Sequence, residues 1–270
     1  QKYFFTIFSV VRSVPSIRRM CMVKSLIFPF MLLCLWQVTT TWGMVSPYLL
    51  PSPSQVLATG VAMAGSGVLF SHIGASLSRI AAGFGLSVVL ALATAAALSR
   101  WKVLDECLQG SLSFLRMTPP LALTPLLILW LGIGDATQIA VIVLASFFPV
   151  YLNTRAGLNR LEAPFRELAA SLALSRVRMV LFFLIPAAIP SLVTGLRLSF
   201  GYSWRALIAA ELIAASSGLG YMIMDAEQMQ RADEVIVGIL VIGVLGWLFD
   251  AAFSFLVSAL LSRRFPELGA

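Results

Sequence analysis

The 270 residues are 59% apolar and only 11% charged, with a net charge of +7 and a mean hydropathy of +0.93, whereas soluble domains carry roughly a quarter charged residues. This is the composition of a membrane protein. The three cysteines (Cys21, Cys34, Cys107) and the lone His72 are too sparse for a metal site, so no metal ligand is assigned. The basic excess is not interleaved with aromatics and suits cytoplasmic loops rather than nucleic acid. A phosphate-binding Gly-x4-Gly-Lys-Ser/Thr loop is missing from the chain, so any ATP must be bound by another subunit.

In chain order, residues 1–24 carry Lys2, Arg12, Arg18, Arg19 and Lys24 and read as a cytoplasmic segment. The apolar run 25–42, SLIFPFMLLCLWQVTTTW, reads as a first transmembrane anchor helix. A secretory signal is its rival, but no clean Ala-x-Ala follows. Residues 43–79 are expected to be external, with the proline-rich SPYLLPSPSQVL breaking the chain before an interfacial helix with Ser54 near its cap. Spans at about 80–99, 117–133, 136–154, 190–214 and 235–260 follow, so that 80–265 forms a five-helix core and 266–270 a tail.

Charge supports this count. With six helices and both termini cytoplasmic, the inner segments hold 15 of the 19 basic residues, and the outer segments hold only Arg79 and Arg231. A seventh helix would put the acidic 215–234 segment inside and Arg263-Arg264 outside, against the positive-inside rule. The expected class is an all-α, multi-pass protein of the cell (inner) membrane, with the lipid bilayer as its solvent.

The longest internal cytoplasmic connection, 155–178, is RAGLNRLEAPFRELAASLALSRVR. Pro164 suits a helix start, Glu167 to Ala173 are good helix formers, and Arg176 and Arg178 suit the end. Ala169, Ala170 and Ala173 keep one flank slim enough to enter a groove, while Leu168 and Leu172 supply an apolar contact. A helix lying on the membrane with its arginines on anionic headgroups is the competing reading.

Four ionisable or amphipathic side chains fall within the next span. Arg197 and Glu211 are 14 positions apart, which leaves them about 40° apart on one helical stripe with Gly201, Trp204 and Ile208, but about 21 Å apart along the axis and unable to pair. Snorkelling of Arg197 to the inner headgroups and Glu211 to the outer ones is one reading. Approach of Trp204, Arg205 and Glu211 to a translocation path is the other, with a fixed cation favouring anionic or zwitterionic solutes. Asp250 reads as a helix-contact residue. No nucleophile, base or carboxylate pair converges, so no catalytic residue is assigned.

Glu167-Leu168-Ala169-Ala170-Ser171-Leu172-Ala173, followed by Pro186 and Pro190 in LIPAAIP, resembles the EAA loop of ATP-binding-cassette importer permeases. Thr194-Gly195-Leu196-Arg197-Leu198, Ser203-Trp204, Ala209-Ala210-Glu211-Leu212 and Gly218-Leu219-Gly220-Tyr221 narrow the likeness to the taurine, aliphatic sulfonate, nitrate and bicarbonate branch, as do Leu50-Pro51-Ser52-Pro53, Ser76-Leu77-Ser78-Arg79, Pro119-Pro120-Leu121-Ala122 and Gly132-Ile133-Gly134. The chain departs from the pattern at Leu168, usually alanine, and at Ala173, usually glycine.

The resemblance implies a type I importer permease fold and a homodimer of this subunit. It also implies two ATP-binding-cassette ATPase subunits, which bind the ATP and Mg, and an external solute-binding protein. Glu167, Ala169, Ala170, Leu172 and Ala173 would couple to the ATPase, Pro186 and Pro190 would start the next helix, and Gly218 and Gly220 would shape an external loop. The implied solute is a sulfonate such as taurine or an alkanesulfonate, with nitrate, bicarbonate or a thiamine precursor behind it. An ion-coupled secondary carrier is the alternative class.

Overall fold

The computed structural model describes residues 15–159 and 185–261. Residues 160–184, which carry Glu167, Ala169, Ala170, Leu172 and Ala173, lie outside the described residues, as do 1–14 and 262–270. Every regular element among the described residues is helical.

Helix α1 spans Pro15–Thr41, α2 Pro53–Gly65 and α3 Val68–Arg100. Helix α4 spans Lys102–Met117 and leads through a 3-10 turn at Pro120–Leu123 into the short α5, Thr124–Leu131. The remainder is α6 (Asp135–Asn159), α7 (Ile185–Ala214), α8 (Leu219–Gln228) and α9 (Ala232–Leu261). Helices α3, α6 and α9 are each long and apolar enough to cross a membrane. The α4–α5 pair qualifies only jointly, bent by 90°, and α7 with α8 is bent by 41°.

Three boundaries depart from the sequence expectations. Helix α2 is capped by Ser52, whose hydroxyl accepts from the Gln55 amide at 3.3 Å with Pro53 in the first turn; Ser54 sits inside the helix. Helix α3 begins at Val68, not near 80, directly after Gly67, whose φ of +78° makes the tight reversal from α2. The expected span at 117–133 is broken, because Pro119 and Pro120 lack amide hydrogens and push Thr118 into an extended conformation (ψ 120°). The eight residues of α5 reach about 12 Å, well short of a hydrocarbon core of about 30 Å. Residues 102–116, which fall between the expected spans, are helical as most of α4.

Packing depends on small residues, as expected where lipid competes equally well for apolar surface. A Cβ on Gly83 of α3 would stand 2.8 Å from Ile142 of α6, and one on Gly195 of α7 would stand 2.7 Å from Asn153 Cβ and 3.0 Å from the Pro149 carbonyl of α6. These close approaches make α6 the central helix, clasped by α3 and α7. Around it, Val56, Ile80, Ile142, Leu207, Leu219 and Val237 join α2, α3, α6, α7, α8 and α9 in one core. Ala91, Ala95, Phe148 and Tyr151 form a second core, between α3 and α6.

Candidate functional site

A buried polar knot ties the N-terminal half of α3 to the start of α6, the end of α7 and the start of α8. Arg79, 5% exposed, donates from Nε to Asp135 Oδ1 at 2.7 Å, from Nη1 to Glu211 Oε1 at 2.8 Å and to the Ser217 carbonyl at 2.6 Å, and from Nη2 to Ser217 Oγ at 2.7 Å. Glu211, 1% exposed, also accepts from Ser76 Oγ and from the Gly220 amide, each at 2.9 Å. Ser76 Oγ in turn accepts from the Leu219 amide at 2.9 Å, and His72 Nδ1 accepts from the Gly218 amide at 3.2 Å. Burying an ion pair is tolerable only when its remaining lone pairs and protons find such partners.

The knot explains Gly218 and Gly220. Gly218 has φ +113°, and a Cβ there would collide with the Glu211 carboxylate and Arg79 Nη1. One on Gly220 would lie 2.6 Å from both Glu211 Cβ and the Ile208 carbonyl. Only a bare backbone lets the 215–220 turn close over the two charges. Glu211 is therefore held inside the knot, apart from the three cavities given below, and Arg79 is a buried helix residue rather than an outer-loop charge. Sequence reasoning missed Arg79 and Ser76 as its partners: both stand in the Ser76-Leu77-Ser78-Arg79 motif, but nothing in it points to a carboxylate 132 positions away.

Arg197 is paired with a carboxylate on another helix. Its Nε and Nη2 donate to Asp250 Oδ1 and Oδ2 at 2.9 and 2.8 Å, joining α7 to α9, with the two side chains 52% and 56% exposed. Trp204 is buried (7%), edge-on to Phe249 at 5.6 Å between centroids, and its Nε1 leaves only 3.0 Å for a Cβ on Gly246. Pro186 and Pro190 lie in the first turns of α7, where Thr194 Oγ1 donates to the Pro190 carbonyl at 3.0 Å.

Three cavities run alongside these helices. The largest, about 550 Å³, lies between the α4–α5 break, α6 and α7, and includes Arg116, Thr118, Tyr202 and Arg205. A second, about 320 Å³, lies between α7 and α9 and includes Arg197, Trp204, Arg205 and Asp250. A third, about 370 Å³, includes Gln109, Ser113, Arg116, Tyr151 and Arg155. Arg205 borders the first two and Arg116 the first and third. Arg155 is anchored by an ion pair to Asp105 and donates to Tyr151 Oη at 2.8 Å, fastening α4 to α6. Of the residues expected near a path, the structure brings Arg197, Trp204 and Arg205 to one cavity and sets Glu211 apart in the knot.

Residues 87–265 match the family described as binding-protein-dependent transport system inner membrane component. The chain is 38% identical over 254 residues to an aliphatic sulfonates transport permease protein, SsuC, of Bacillus subtilis (strain 168), covering 94% of this chain and 92% of the relative. It is 35% identical over 224 residues to the taurine transport system permease protein TauC of Escherichia coli (strain K12), covering 81% and 82%. It is 32% identical over 239 residues to the nitrate import permease protein NrtB of Synechocystis sp., covering 84% and 85%.

Proposed function

The chain belongs to the binding-protein-dependent transport system inner membrane component family, and from that premise we propose that it is the permease subunit of an ATP-driven importer whose solute is a small organic anion, first among them a sulfonate such as taurine or an alkanesulfonate. One observation carries the assignment of polarity. Arg205 and the Arg197–Asp250 pair lie well inside α7 and α9, with the pair more than half exposed. A charge facing lipid at that depth costs about 2.5–3.5 kcal/mol or more. These groups therefore face an aqueous path or a partner subunit, and Arg205 favours an anion in it. Relatives that carry aliphatic sulfonates and taurine support the same solute class; nitrate is the second reading, favoured by NrtB.

Membership of the family supports the following assembly. α1, α3, the α4–α5 pair, α6, α7 and α9 make six spans, and the positive-inside bias puts both termini in the cytoplasm. Two copies of the subunit enclose the path, and two ATPase subunits, which bind ATP and Mg, grip the 155–178 loops through Glu167, Ala169, Ala170, Leu172 and Ala173. A solute-binding protein docks on the outer surface formed by 43–67 and 215–234. ATP binding draws the ATPase subunits together and switches the paired spans from inward- to outward-facing, and hydrolysis resets them.

Co-purification with the ATPase encoded nearby, followed by ATPase and uptake assays in wild type and Glu167→Ala, tests this reading. A stable complex is expected, in which Glu167→Ala still hydrolyses ATP but loses roughly tenfold or more of its uptake per ATP, a coupling loss within the usual 1–3 kcal/mol. Absence of any bound ATPase, or full coupling in the variant, would overturn it.

A further inference from the structure

The cavity between the α4–α5 break, α6 and α7 has the makings of a solute site. Its two cations come from different elements: Arg116 from the last turn of α4, Arg205 from the middle of α7. The Pro119-Pro120 break turns the chain through 90° immediately after Arg116, and the Arg155–Asp105 pair fastens α4 to α6. Arg79, Arg155, Arg197 and Arg231 each have a carboxylate partner. Arg116 and Arg205 have none among the described residues, and no acid lines their cavity. An unpaired guanidinium well inside a long apolar helix, as Arg205 is, is unfavourable until an anion completes it.

The rest of the wall is hydrocarbon, supplied by Leu144, Phe148 and Leu152 of α6 and Ala206 and Ala209 of α7, with the Tyr202 hydroxyl as a further donor, while Thr118 Oγ1 already donates to the Phe114 carbonyl. The volume of about 550 Å³ is that of a small-molecule site. We infer that this cavity binds an organic monoanion with a short apolar tail, its charged head held between Arg116 and Arg205 and its tail laid on Leu144, Phe148 and Leu152. This rests on the importer reading and deepens it. A sulfonate matches both halves. Nitrate or bicarbonate would satisfy the arginines but leave the hydrocarbon wall against water, and a neutral pyrimidine would lack the anchor. Arg116 also borders the cavity that holds Tyr151 and Arg155, so the two cavities meet at Arg116.

The test uses the permease–ATPase complex in nanodiscs, without the solute-binding protein, titrated calorimetrically with methane-, ethane- and butanesulfonate and with nitrate. Affinity is expected to rise by about fourfold per added methylene, with nitrate weaker than butanesulfonate. Arg116→Gln and Arg205→Gln should each weaken butanesulfonate binding by roughly tenfold or more, and Arg116→Lys and Arg205→Lys by less. Melting curves in the same nanodiscs separate a lost site from a lost fold. No butanesulfonate binding by wild type, a flat chain-length series, or wild-type binding by folded glutamine variants would refute the site. ATP-driven uptake by wild type alongside such a refutation would leave the importer reading standing; absence of that uptake would fell the importer reading itself.

Discussion

Glu211 and Arg79 are separated by 132 positions, yet their side chains meet at 2.8 Å with both charges almost wholly buried. Removing Glu211 leaves Arg79 with the exposed Asp135 as its counter-charge, so the loss falls below the roughly 3–5 kcal/mol typical of a fully stranded buried charge. Glu211→Ala should still lower thermal stability, whereas Glu211→Gln, which still accepts from Ser76 and Gly220, should lose less. Tryptophan-fluorescence melting of the detergent-solubilised protein would measure both, and a wild-type midpoint for Glu211→Ala would contradict the knot. This pairing was not legible in the sequence. An isolated arginine in an apolar chain reads as a loop charge because neutralisation by a distant carboxylate leaves no local pattern. That is why α3 was expected to begin just after Arg79 and in fact begins eleven residues before it. Gly218 and Gly220 could be singled out by resemblance alone; the reason for them, a turn closing over two charges, exists only in three dimensions.

Helix positions fared better than helix breaks. Runs of apolar residues long enough to span survive as α6, α7 and α9 close to their expected limits, since a bilayer imposes length and composition directly on sequence. The run at 117–133 is equally apolar but not one helix, because the Pro119-Pro120 pair outweighs its hydropathy. Contacts between helices depend on close approach. Gly195→Val should push α7 off α6, where even a Cβ lies 3.0 Å from a backbone oxygen. The expected loss is about 1–3 kcal/mol. Gly85→Ala, with nothing within 4 Å, should be neutral or stabilising by up to about 1 kcal/mol. Equal melting points for Gly195→Val and Gly85→Ala would contradict this packing.

The three cavities are strung along α6 and α7, with Arg205 shared at one junction and Arg116 at the other. The knot clamps one end of the bundle, and the Arg155–Asp105 pair fastens α4 at the other. Rigid ends around an arginine-lined middle suit a device that switches as a unit rather than one that deforms continuously. Of this site, the sequence revealed Arg197, Trp204 and Arg205 as intramembrane polar residues; Arg116 escaped it because a helix-terminal arginine looks like a cytoplasmic flank. The most direct measurement is uptake of labelled taurine or butanesulfonate into proteoliposomes holding the permease alone, or the permease with its ATPase and solute-binding protein. Accumulation that needs all three components and ATP is expected. Flux driven by an ion gradient through the permease alone, indifferent to ATP, would contradict the importer.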